Sequence, residues 1–367
     1  MRIAQVAPLY ESVPPQLYGG TERVVSFLTE ELVRAGHEVT LFASGDSRTT
    51  AELIAGSERS LRLDPNCVDS LAHHYVLLEK VFAQVDRFDV VHFHVDFLHF
   101  PLSRRSNVAH LTTLHGRLDI PDLQPLYREF ADMPVVSISD AQRKPLPLAD
   151  WCGTVYHGLP ADLLRFREGR EGYLAFLGRV SPEKRPDRAI EIARLAGRPL
   201  KVAAKLDRAD EEYYEREIAP LVAQSHVSFE GEIGDAEKND FLGDAAALLF
   251  PIDWPEPFGL VLIEAMACGT PVIAFREGSV EEIVEPGVTG FVVSSVEEAV
   301  AAVGRLPEID RRRCRQEFER RFTAARMARD YVEMYQKLLR SRPAPPQKAR
   351  ALDAPGKPVR RPETDAS

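Results

Sequence analysis

The clearest structural signal in the chain lies at residues 255–272, which read PEPFGLVLIEAMACGTPV. Its prolines and Gly259 predict a tight turn, and the apolar run that follows predicts a helix beginning at Gly259 or Leu260. The free backbone N–H groups at such a helix start, together with the positive end of the helix dipole, form a site for an anion such as phosphate. The segment therefore predicts a ligand-binding turn between a strand and a helix.

Two carboxylates flank this turn, Glu256 on the loop and Glu264 on the helix. Carboxylates accept hydrogen bonds from paired hydroxyls, which suits recognition of a sugar or a ribose beside a phosphate. A second interpretation is that the segment binds no ligand, because the apolar residues Leu262, Ile263 and Met266 alone explain the helix as part of a core.

On both sides of the turn, short apolar strands alternate with helical segments, which predicts parallel sheets covered by helices. The first half has expected strands at residues 3–7, 38–43, 90–94, 110–114, 135–139 and 153–157. The second half repeats the pattern at 173–177, 201–204, 227–230, 247–250, 272–274 and 291–293, with one of its helices expected at 211–224. We predict an α/β protein of two Rossmann-like, doubly wound domains that face each other across a cleft, at residues 1–163 and 164–325, followed by a helix at 326–340 and a disordered tail at 341–367.

Composition and charge exclude several classes of protein. The 367 residues carry a formal net charge of −10, whereas a protein that binds nucleic acid along its length is normally basic. The four cysteines form no C-x-x-C pair, and the start of the chain has no apolar leader, which together predict a cytoplasmic protein. Peripheral membrane contact through the arginines of 311–321 is a less favoured alternative, because acidic residues are interspersed there.

Basic residues occur near the start of the second half, in residues 177–185, which read LGRVSPEKR. Gly178 allows close approach of a ligand, and Arg179 and Lys184 bracket the turn that follows the strand. Two fixed cations at the carboxyl end of a first strand can neutralise a diphosphate. The alternative is a pair of ordinary surface cations.

Two further features of the first half point toward the cleft. Gly19 and Gly20 precede the first helix, where glycine lets the backbone approach a ligand, although a flexible connection explains them equally well. His115 follows the fourth strand and is expected to project into the cleft, the alternative being a loop histidine without a role.

A metal site is not expected. His92, His94, Asp96 and His99 lie close together in sequence, but spacing alone supplies no ligand geometry. No D-x-D motif occurs, so the cations Arg179 and Lys184 are favoured over a metal ion for holding a diphosphate.

Together these motifs resemble glycosyltransferase family 4, the group 1 glycosyltransferases, which are retaining enzymes with the GT-B fold. Glu256 and Glu264 match the E-x7-E signature of that family, and Gly178, Arg179 and Lys184 match its diphosphate-binding residues. The resemblance covers nearly the whole chain, from Gly19 to the GVTGF segment at 287–291.

The resemblance implies a role for each candidate. Arg179 and Lys184 would hold the donor diphosphate, Glu264 the ribose, and Glu256 the transferred sugar. The remaining implied donor contacts are the Gly19–Gly20 loop, Ile233 near the base, the backbone of Phe258, Gly259 and Leu260, and His115 near the reacting sugar.

The implied function is metal-independent, cofactor-free transfer of a hexosyl group from a nucleotide sugar such as UDP-glucose. The first domain would bind a small-molecule, glycan or glycolipid acceptor, and the helix at 326–340 would cross back to it. The alternatives are a non-catalytic sugar-nucleotide-binding protein and a GT-B sugar-nucleotide epimerase.

Overall fold

The computed structural model describes residues 1–16, 19–168 and 172–341. The first sheet consists of β1 (Arg2–Val6), β2 (Glu38–Ser44), β3 (Glu52–Ser57), β4 (Val90–Phe93), β5 (Ala109–Thr113), β6 (Pro134–Ser137) and β7 (Asp150–Thr154). The second consists of β8 (Leu174–Arg179), β9 (Leu200–Lys205), β10 (Val227–Gly231), β11 (Ala247–Phe250), β12 (Val272–Phe275) and β13 (Gly290–Val293).

Both sheets are parallel and doubly wound. Their strand orders are β3-β2-β1-β4-β5-β6-β7 and β10-β9-β8-β11-β12-β13. In each, the chain reverses its direction of winding beside the first strand, so the loops after β1 and β4, and after β8 and β11, diverge at the carboxyl edge. Such a switch point leaves a crevice that binds ligands. The predicted fold class is confirmed.

The helices cover the faces of the sheets. In the first half they are α1 (Gly20–Arg34), α2 (Ser70–Phe82), α3 (Phe100–Ser103), α4 (Leu123–Glu129) and α5 (Asp140–Arg143). In the second half they are α6 (Pro186–Leu195), α7 (Glu211–Tyr213), α8 (Ala219–Val222), α9 (Asp235–Gly243), α10 (Leu260–Ala267), α11 (Val280–Ile283), α12 (Val296–Gly304), α13 (Arg311–Arg321) and α14 (Ala324–Ser341).

Helix α14 returns from the second half to the first sheet. Its residues Met327, Tyr331 and Tyr335 are buried in one cluster with Ile3 of β1 and Leu28 of α1. Helix α13, by contrast, packs on α10 of the second half. The last helix therefore ties the two halves together by burial of apolar surface. The predicted tail begins at Ser341, the last residue of α14, and its other residues lie outside the described part of the chain.

Two expected elements differ from the structure, and one strand was not expected. The strand expected at 153–157 lies at Asp150–Thr154, because the chain leaves the sheet after Val155, whose N–H still donates to Ser137 O at 2.9 Å. The edge strand β3 was not predicted, since its six residues include a polar residue at each end and Gly56. The helix expected at 211–224 is divided into α7, a π-helical turn at Tyr214–Ile218, and α8.

Candidate active site

A cleft of about 680 Å³ lies between the two halves, within the usual size range of a small-molecule site. The structure brings all the residues that the sequence singled out into its lining: Gly19, Gly20, His115, Arg179, Lys184, Ile233, Glu256, Phe258, Gly259, Leu260 and Glu264. They lie at strand ends, in loops and in the first turns of helices at the carboxyl edges of both sheets, so the doubly wound topology itself assembles them.

The turn after β11 presents a helix start to the cleft. Gly259 has a φ of +81°, the left-handed conformation that glycine adopts without strain, and it directly precedes α10. Gly20, the first residue of α1, lies opposite: a Cβ atom built on it would be 3.9 Å from Leu260 Cδ1. Two helix N-termini from different halves thus converge on one place, which favours an anion there.

The position of Glu256 is set by the backbone beneath it. Gly278 has a φ of +57°, and a Cβ atom built on it would lie only 2.3 Å from Glu256 O. Since no other residue type fits so close to a backbone carbonyl, Gly278 allows the loop that carries Glu256 to pack directly against the backbone at Gly278.

Lys184 and Glu256 form an ion pair at the centre of the second-half wall. Lys184 Nζ donates to Glu256 Oε2, and Trp254 Nε1 donates to the same oxygen at 3.0 Å. The ammonium also lies 4.9 Å from the centre of the Trp254 ring. These contacts hold a cation and a carboxylate side by side in a largely buried setting, where both act more strongly than in water.

Arg179, the last residue of β8, is surrounded by carboxylates. Its Nη2 donates to Glu183 Oε1 at 2.8 Å, and its Nη1 lies 3.6 Å from Asp207 Oδ2 and 3.8 Å from Asp210 Oδ2. Lys205 also pairs with Asp207, at 2.9 Å. Sequence reasoning missed Asp207 and Asp210, because they follow the neighbouring strand β9 and stand in no recognisable motif.

Glu264 belongs to a chain of ion pairs that spans the cleft. Lys238 Nζ donates to Glu264 Oε1 at 2.7 Å and lies 3.6 Å from Asp235 Oδ1. Asp235, at the start of α9, accepts from Arg23 Nη1 of α1 in the other half. The carboxylate that the sequence singled out is therefore connected to the first half through three residues that sequence reasoning missed.

His115 lies at the base of the first-half wall. Its Nε2 is 2.9 Å from His94 Nδ1, and His94 Nε2 is 2.8 Å from Gln5 Oε1. Burial lowers the pKa of His115 to about 3, so the ring is neutral at physiological pH. The ring of His157 stacks on it with 5.3 Å between centroids. His115 therefore lines the cleft as a neutral ring and supplies no positive charge.

Two acidic residues on the first-half wall have altered acidity. Desolvation raises the pKa of Glu22 to about 7 and that of Asp96 to about 6. Asp96 lines the cleft and is exposed there, and its φ of +50° is unusual for a residue with a side chain. Neither was proposed for a role in the cleft from the sequence, although Glu22 lies two residues after Gly20 and Asp96 lies among the histidines.

The histidines before and after Asp96 are engaged in hydrogen bonds. His92 contacts Tyr335 and Thr113, each at 2.7 Å, and His99 contacts Ser103 and Thr112, each at 2.6 Å. Within residues 1–16, 19–168 and 172–341, no group of three or more His, Cys, Asp or Glu side chains is arranged to hold a metal ion. No helix in the same ranges combines the length and apolar character needed to cross a membrane.

Comparison with known proteins gives two family matches. Residues 165–321 match the model of the glycosyl transferases group 1, and residues 18–146 match that of Glycosyltransferase Family 4. An uncharacterized glycosyltransferase of Methanocaldococcus jannaschii is 24% identical, over 80% of this chain and 85% of that protein. The D-inositol 3-phosphate glycosyltransferase of Mycobacterium bovis is 33% identical, but over only 38% of this chain and 28% of that enzyme.

Solved structures of other proteins agree with these family matches. AviGT4, a glycosyltransferase involved in avilamycin A biosynthesis, matches with a TM-score of 0.73 and 26% identity over 93% of this chain and 98% of its own. Sucrose-phosphate synthase of Thermosynechococcus elongatus shares the fold with a TM-score of 0.74 at 19% identity, over 93% of this chain and 100% of its own. The two doubly wound units thus form the GT-B fold, and the chain belongs to glycosyltransferase family 4, the group 1 glycosyltransferases.

Proposed function

We propose that this chain transfers a hexosyl group from a nucleoside-diphosphate sugar, of the UDP-glucose type, to an acceptor hydroxyl, with retention of configuration and without a metal ion. The observation that carries the proposal is the convergence of Arg179, Lys184 and Glu264 with the starts of α1 and α10 on one cleft. Cations and helix N-termini suit a diphosphate, and a buried carboxylate beside them suits the ribose hydroxyls.

The donor would span the second-half wall. The diphosphate lies against Arg179, Lys184 and the N–H groups at Leu260, while Glu264 accepts hydrogen bonds from the ribose. The base lies toward Ile233, and the sugar toward Glu256 and His115. The structure of Anabaena HepE in complex with UDP and glucose, which shares the fold with a TM-score of 0.71 at 18% identity, over 92% of this chain and 100% of its own, shows that a GT-B protein holds these two molecules.

In the reaction, the bond between the anomeric carbon and the diphosphate oxygen breaks, and the acceptor oxygen bonds to the same face of that carbon. The acceptor proton passes to the departing diphosphate oxygen. Arg179 and Lys184 stabilise the negative charge that develops on the leaving group, which is commonly the largest contribution to such catalysis. They supply the charge that a metal ion provides in other transferases, so no metal is required in this scheme.

The test is a donor screen on the purified protein with EDTA present, following release of nucleoside diphosphate from UDP-, GDP- and ADP-sugars. We expect release from one donor, reduced by roughly 10²–10³ in Arg179→Ala. The matched control is Arg194→Ala, which removes an exposed arginine of α6 whose partner is Glu191. Equal rates in Arg179→Ala and wild type would refute the diphosphate role.

The same experiment separates the alternatives. NMR spectra recorded before mutarotation should show the α-anomer first when the donor is an α-linked sugar, as retention requires. A non-catalytic binding protein would bind the nucleotide without releasing sugar. An epimerase would return a sugar of changed configuration.

A further inference from the structure

Exposed apolar side chains are concentrated beside one edge of the cleft. Among the described residues, eleven large apolar side chains are exposed, and six of them fall at residue 10 and within residues 63–76. We call this region the apolar rim; it consists of Tyr10, Leu63, Val68, Leu71, Tyr75 and Val76. Scattered exposed apolar residues are normal, but a group of this kind marks a binding surface.

The rim is continuous with the cleft. Tyr10 and His74 both line the cavity, and their ring centroids are 5.0 Å apart. On α2, Leu71 precedes His74 by one helical turn, and Tyr75 lies one turn beyond Leu71. The segment that carries Leu63 runs beside Tyr10, since the N–H of Arg62 donates to Tyr10 O at 3.0 Å. A ligand that occupies the first-half wall and extends outward therefore meets the rim.

We propose that the rim binds an aromatic or aliphatic group of the acceptor, whose hydroxyl enters the cleft. This inference rests on the proposed function and assigns the acceptor to a chemical class: a hydroxylated compound with a substantial apolar part. The polarity of the first-half wall matches such a compound. Exposed apolar side chains lie outside the cleft, where the apolar part would bind, and Asp96 and His115 line the inside, where the hydroxyl would enter.

The charge around the rim argues against a membrane surface as its occupant. Residues 58–80 carry four acidic and three basic side chains. Of the basic ones, Arg62 pairs with Glu11 at 2.8 Å, and Lys80 donates to Ala55 O at 2.6 Å. Docking on anionic lipid normally depends on an excess of basic residues, which this region lacks.

The experiment compares binding of 1-naphthyl β-D-glucoside and methyl β-D-glucoside to the purified protein, without donor. We expect the naphthyl compound to bind about tenfold more tightly, the gain given by partial burial of an aromatic group. The double variant Leu71→Ser/Tyr75→Ser should lose this preference. Both side chains are exposed, so the fold should persist, as a thermal melt will show. The matched control, Leu148→Ser/Leu195→Ser, removes apolar residues that are exposed elsewhere and should retain the preference.

Three results would overturn the proposal. One is equal binding of the two glucosides by wild type. Another is binding of wild type, but not of the double variant, to phosphatidylcholine vesicles, which would assign the rim to a lipid surface. The third is a concentration-dependent dimer that the double variant abolishes. Donor hydrolysis without acceptor is measured separately, so its failure would count against the proposed function rather than against the rim.

Discussion

Lys238 and Glu264 form a nearly buried ion pair in the cleft, with Nζ 2.7 Å from Oε1 and side chains 14% and 5% exposed. Glu264 lies on α10 and Lys238 on α9, so the pair joins two helices of the same half. A buried carboxylate with a fixed partner keeps one orientation, which is what recognition of two adjacent ribose hydroxyls requires.

Loss of this partner should therefore weaken recognition of the ribose. We expect Lys238→Met to raise the KM for the active nucleotide sugar roughly tenfold or more, as removal of a charged hydrogen bond does. The ratio of KM values for the ribose donor and its 2′-deoxyribose analogue should move toward one. Lys337→Met, which alters an exposed lysine of α14, is the control. An unchanged ratio would show that Lys238 does not position Glu264.

The ion pair between Arg23 and Asp235 joins the two halves across the cleft. Arg23→Gln should open the cleft and increase the radius of gyration measured by small-angle scattering. In a double-mutant cycle with Asp235→Asn, the free energies of donor binding should show a coupling of about 0.5–3 kcal/mol. Arg34→Gln, on the same helix and paired with Glu31 one turn away, should leave both measurements unchanged. Additive effects of the two substitutions would contradict a direct contact.

Gly278 should matter more for activity than for stability. In Gly278→Ala the new Cβ would collide with Glu256 O, so the loop carrying Glu256 must move, and we expect donor hydrolysis to fall at least tenfold. Gly287 provides the control, because its φ of +76° is equally strained for alanine but nothing lies within 4 Å of its Cβ position. Gly287→Ala should cost about 1–2 kcal/mol of stability and keep its activity. Equal losses of activity in the two variants would refute the positional role.

Glu22 predicts a specific dependence of stability on pH. Its pKa rises from the ordinary 4.5 to about 7 in the folded protein, chiefly through desolvation. The associated stability is complete below pH 4.5, decreases as the unfolded chain ionises first, and is lost above about pH 7. The loss amounts to about 3 kcal/mol.

Urea unfolding of Glu22→Gln and wild type at pH 5 and pH 8 tests this. The variant should gain stability relative to wild type as the pH rises, because glutamine cannot ionise. Arg62 and Glu11, the charged groups that act on Glu22, are present in both proteins. A difference that stays constant between the two pH values would contradict the raised pKa.

The sequence alone indicated the two doubly wound units and many, though not all, of the residues that line the cleft. This was feasible because both signals are local. Buried parallel strands appear as short apolar runs, and the turn at Gly259 is encoded by adjacent prolines and glycines. Residues at the ends of successive parallel strands share an edge, so the strand pattern by itself places Arg179 and Glu256 near each other.

The partners of those residues were decided only by the tertiary structure. Lys238, Asp235 and Arg23 have no distinctive local pattern, and they meet because α9 and α1 approach each other across the cleft. The edge strand β3 was missed for a related reason, since it packs through few residues and shows a weak period.

The shifted pKa values in the cleft could not be predicted from the sequence either. The pKa values of His115 and Glu22 depend on burial, which is a property of the whole assembly of elements around each group. A sequence determines which chemical groups are present and how neighbouring residues bend the chain. Which groups lose water and which charges come together depends on contacts between residues far apart in the chain, and only the folded structure fixes those contacts.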